Sequence, residues 1–67
     1  GDPYWVSAHQ MLADVYAQMG EAHAAKVLMH AKVALEYTEP SSEWHLPLTQ
    51  YVEEARAALG GHDRLLN

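Results

Sequence analysis

The apolar positions of this chain recur every three or four residues over three stretches, and no stretch alternates with period two. The first stretch predicts a helix over 3–19. Asp2 stands as N-cap, Pro3 at the first helical position, and Gly20 as the left-handed stop. Its expected core stripe is Trp5, Ala8, Leu12, Val15, Tyr16 and Met19, with Ser7, Gln10, Asp14 and Gln18 towards water. The second stretch predicts a helix over 21–37, opened by the negative charge of Glu21. A loop over 38–42 follows, because Thr38 to Ser42 breaks the periodicity. The third helix is expected over 43–59, with Pro47 tolerated near its first turn. Trp44, Leu48, Tyr51, Val52, Ala55, Ala58 and Leu59 line its inner face. Gly60-Gly61 is expected to stop it and leave a tail over 60–67. The pattern therefore predicts an all-α, three-helix domain: an antiparallel helical hairpin plus a third helix.

Helix two is apolar on two faces. Ala24, Val27, Leu28, Ala31, Ala34 and Leu35 form one stripe, and Ala22, Ala25, Met29 and Val33 a second, interrupted by Lys26, Lys32 and Glu36. A helix that must hide both sides needs more neighbours than so short a chain provides. The second stripe is accordingly the expected interface, with a protein partner or a second copy of the chain.

With 67 residues the chain is one small domain or a piece of one, and a core of this size rarely yields more than about 3–5 kcal/mol of net stability. There is no cysteine, so neither a disulfide framework nor thiol chemistry is available, and the compartment is left undecided. Nine acidic residues against four Lys and Arg leave a net charge of −5. Nucleic-acid binding needs a basic stripe, and anionic membrane surfaces are disfavoured for the same reason, so neither is expected as a partner. No apolar run approaches a membrane span.

Leu12, Ala13, Tyr16 and Gly20 have the spacing of the first helix of a tetratricopeptide repeat, and Ala24, Leu28 and Ala31 suit its second helix with a shortened turn. Trp5 to Pro40 thus resembles a single repeat, with the third helix as a cap. Tyr51, Ala55 and Leu59 are also similar to the third-helix core of the MIT domain. Both resemblances imply an interaction module that receives a peptide or helix in a groove. In the bland reading, any antiparallel hairpin needs a glycine turn and small residues at its crossing.

Candidate chemistry is sparse. Five histidines is a high count for this length, but His23 and His30 are seven residues apart, too far along one helix to share an ion. They remain the only metal candidates of an alternative reading, a small oligomeric His-lined metal, haem or ligand binder. The bland reading makes them boundary residues that titrate near ~6.5. No serine or threonine has an arranged His and carboxylate, and Gly60-Gly61 follows a helix rather than opening one. The expectation is a non-catalytic interaction or self-assembly module without a cofactor.

Overall fold

The computed structural model describes residues 3–66, with side chains over 4–60. It is all-α: α1 (Pro3–Gln18), a short 3-10 turn (Glu21–His23), α2 (Ala24–Glu36) and α3 (His45–Leu66). Helix α2 is central and packs closely on both α1 and α3, which meet each other only sparsely. Trp5 stands beside Tyr37, and Tyr16 beside His23, so α1 and α2 run antiparallel.

Local chemistry explains the joints. Gly20 takes φ +100°, a conformation that costs an L side chain of the order of 1–2 kcal/mol, and its carbonyl accepts the His23 N–H at 3.1 Å. At the far end of α2 the backbone N–H groups of Tyr37 and Thr38 return to Ala34 and Leu35, and the Thr38 hydroxyl donates to the Ala34 carbonyl at 2.6 Å. Orphan carbonyls of the last turn are thereby satisfied. The same hydroxyl accepts from Gln10 Nε2 at 3.3 Å, tying the end of α2 to α1. Before α3 the Trp44 N–H donates to Ser42 Oγ at 3.1 Å. Pro47 falls at the third helical position, where no intrahelical donor is lost.

Three of the expected boundaries are corrected. The helix expected over 21–37 opens as a 3-10 turn, so α2 proper runs Ala24–Glu36. The loop between α2 and α3 is longer than 38–42, since α3 starts at His45 rather than residue 43. Gly60-Gly61 does not stop α3, which continues to Leu66, so the expected tail over 60–67 is helical through that residue. A helical glycine costs about 1 kcal/mol relative to alanine, and it ends a helix only when it turns left-handed. Gly20 is the one glycine with positive φ among the described residues.

Alanine dominates the core. Among the described residues Ala13, Ala24, Ala31, Ala34 and Ala55 supply five of the eight buried apolar positions, with Val27, Leu48 and Val52. Small residues at the crossings let backbones approach closely, and among the described residues Leu48 is the one large side chain that is fully enclosed. Leu28, Leu35, Trp44 and Tyr51 pack around it half-buried. The slack left near the first turn is a cleft of about 140 Å³ lined by Ala17, Gly20, Ala24, Val27, Ala55 and Ala58, with Tyr51, Glu21 and Glu54.

The inner face of α1 is also corrected. Of its expected stripe Tyr16 faces the bundle, and Trp5 meets Tyr37 at its edge. Trp5, Ala8, Leu12, Val15 and Met19 are exposed, while Ala13 is fully buried. Gln10 and Asp14, expected in water, reach across to Thr38 and Tyr51. The reason is steric and polar together. The facing helices present mainly alanines, which a row of Leu, Val and Met would hold apart, and Ala13 fits there. The polar residues beside it find partners on α2 and α3.

Candidate apolar face and aromatic seam on helix one

Turning Ala13 inwards turns the large apolar residues of α1 outwards. Ala8, Met11, Leu12, Val15 and Met19 follow one another at intervals of three and four residues, so they share one side of the helix. All five are exposed: Met11 at 62%, Val15 at 52% and Met19 at 54% are the most open of the larger ones. None of the five is charged. The carboxylate of Asp14, the one acidic side chain within α1, lies to the side and accepts the Tyr51 hydroxyl from α3. That bond, with burial and the charges of Asp14 and Glu54, pushes the Tyr51 phenol up from 10.0 to about 12.

The stripe expected to be the interface lies on α2. Ala22 and Ala25 are exposed, Met29 is 54% exposed and Val33 is half-buried. Ala25, Met29 and Val33 share one side of α2, with Ala22 in the 3-10 turn before it, and exposed Lys26, Lys32 and Glu36 interrupt the stripe. The longer and uncharged stripe is on α1. Hydrophobicity alone conceals it, because it assigns the bulkiest residues of α1 to the core. The available signal was Ala13 within the Leu12–Ala13 pair, with hydrogen-bonding residues at Gln10 and Asp14 beside it.

Between α1 and α2 runs a series of rings. Tyr37 meets Trp5 edge-on at 5.3 Å between centroids, and Trp5 meets His9 edge-on at 4.7 Å. His9 and His30 are joined by a 2.9 Å hydrogen bond between their Nδ1 atoms, with centroids 5.1 Å apart. His30 stacks on Tyr16, which also stacks on His23, at 5.7 Å in each case. Lys26 Nζ lies 5.2 Å from the centre of the Tyr16 ring.

His23 and His30 are therefore on one seam, but Tyr16 lies between them. The residue that His30 meets is His9 of α1, which the sequence did not single out. The two centroids are farther apart than the nitrogens by about a ring's width, so the imidazoles meet head-on. That geometry suits one shared proton, with one Nδ1 donating and the other accepting. It does not converge two lone pairs on a common ion. Among the described residues no group of three or more His, Asp or Glu is placed to hold a metal. Burial and the neighbouring His9 push the His30 imidazole below its ordinary value of 6.5.

None of the described helices is long and apolar enough to cross a membrane. No family model, no curated protein and no solved structure matches the chain.

Proposed function

We propose that this chain is a non-catalytic helical interaction module that docks a protein partner, or a second copy of itself, on the outer face of α1. The observation that carries this reading is the uncharged row of Ala8, Met11, Leu12, Val15 and Met19, exposed along the helix opposite Ala13. Single exposed apolar residues are ordinary on a protein surface, whereas a continuous row along one helix is a feature of contact sites. Recognition of this kind lays one amphipathic helix face against another, with anchors at i, i+3, i+4 and i+7. Methionines at two of the positions supply adaptable contacts.

The second stripe of α2, with Ala22, Ala25, Met29 and Val33, is the lesser candidate because three charged residues interrupt it. A tetratricopeptide-like character of the hairpin is supported by Ala13 at the helix crossing and Gly20 in the turn, with Leu12 on the outer surface instead.

The test is residue-resolved cross-linking. A chain carrying photo-methionine at its three methionines, Met11, Met19 and Met29, is irradiated in an extract of the cells it comes from. Adducts to a polypeptide are expected at Met11 and Met19, and Val15→Glu should remove them while leaving helicity unchanged. A folded chain that forms no polypeptide adduct at Met11 or Met19 overturns the reading.

A further inference from the structure

We infer that the occupant of the α1 face is a second copy of this chain, paired antiparallel about a two-fold axis between Met11 and Leu12. The inference rests on the interaction-module reading and names its partner.

The first argument is charge. Each chain carries −5, and α2, α3 and the loop before α3 expose Lys26, Lys32, Glu36, Glu43, Glu53, Glu54 and Arg56. Contact between two copies through those faces takes charged side chains of both signs out of water, a cost that ion pairs across the contact must offset. The row from Ala8 to Met19 holds no ionisable side chain, so two copies meet there without burying like charges. Being uncharged, the row also offers nothing that selects a basic partner over the chain itself.

The second argument is self-complementarity. A closed two-fold contact requires that residue i meet residue j while j meets i. In an antiparallel pair centred between Met11 and Leu12, Ala8 opposes Val15 of the second copy, and Val15 opposes its Ala8. These two lie near the middle of the face, where a small side chain opposite a medium one allows close approach. Met11 lies to one side of that line and Leu12 to the other, so each meets its own counterpart across the axis and closes the seam. A parallel pair instead sets Ala8 against Ala8 and Val15 against Val15, alternating a gap with a crowded layer.

The absence of cysteine makes the test direct. Met11→Cys places the thiols of two copies across the axis and should oxidise to a disulfide-linked dimer. Ala8→Cys places them seven residues from their counterparts, about 10 Å along the helices, beyond disulfide reach, and should remain monomeric. Ala8→Cys combined with Val15→Cys should restore cross-linking. The wild type should show a reversible dimer in sedimentation equilibrium, weakened at least tenfold by Leu12→Glu with helical content unchanged. A wild type that stays monomeric at every concentration overturns the inference. So does a chain in which Ala8→Cys links as readily as Met11→Cys. If photo-methionine adducts at Met11 and Met19 join the monomeric chain to a different polypeptide, the module reading stands and the second copy falls.

Discussion

At the residue scale the molecule is governed by two polar pairs that cross between helices. The first is His9 with His30. A depressed imidazole favours the neutral form in the folded state, so its contribution is fully present above the unfolded value near 6.5 and is lost as pH falls through the lower folded value. Among the described residues the groups facing the pair are Trp5, Tyr16 and, through Tyr16, His23 and Lys26, and none of these supplies a negative charge to hold a second proton. The melting temperature should therefore fall on acidification from about pH 7.5 to pH 5, and His30→Gln should flatten that slope. An equal slope in both proteins would place the acid sensitivity elsewhere. The second pair is Tyr51 with Asp14. A phenol raised to about 12 contributes stability that is fully present below 10.0 and is lost as pH rises through the folded value. Ultraviolet titration should show one of the four tyrosines ionising late, and Tyr51→Phe should remove that late step. The same change costs about 1–3 kcal/mol in a urea melt, because Asp14 loses a donor.

The helices themselves are held by small residues and a few enclosed large ones. Leu48→Ala should cost about 2–5 kcal/mol, most of what a domain this small possesses, and leave the chain largely unfolded by circular dichroism. Val15→Ala, on the outer face of α1, should change the stability of the monomer by no more than about 0.5 kcal/mol. If the two effects were reversed, α1 would be packed with the opposite face inwards. The glycines provide a second contrast. A Cβ at Gly20 meets nothing within 4 Å, but φ +100° makes Gly20→Ala unfavourable by about 1–2 kcal/mol through backbone strain alone. A Cβ at Gly60 also meets open space, inside a helix, so Gly60→Ala should stabilise by up to about 1 kcal/mol. Equal effects at the two positions would contradict the turn or the continuation of α3.

For the molecule as a whole, net charge opposes association while the α1 face favours it. Two chains of −5 repel over roughly a Debye length, about 10 Å at 0.1 M salt. Added salt near neutral pH should therefore strengthen a homodimer, since the contact contains no ion pair to screen. An association weakened by salt would mean that charged groups form the contact, which suits the interrupted stripe of α2 better than α1. Sedimentation at low and high sodium chloride decides between the two.

Periodicity and turn chemistry by themselves determined the helices, their order and the hairpin. Three- and four-residue spacing has no strand counterpart, and Gly20 and the Thr38-to-Ser42 segment interrupt it where the chain reverses. The buried stripe of α2 was equally legible, because Ala24, Val27, Ala31 and Ala34 align on a central helix whose inner side is packed by both neighbours. Only the tertiary structure decided which side of α1 faces in. Hydrophobicity ranks Leu12, Val15 and Met19 above Ala13, but the space between closely approaching helices is set by the partner surfaces. Those surfaces are alanine-rich and carry Thr38, Tyr51 and His30 where Gln10, Asp14 and His9 can reach them. The candidate site was hidden for the same reason, since an exposed apolar row and a buried one have the same spacing along the chain. The His9–His30 pair was hidden for another: a contact between residues 21 apart has no local signature.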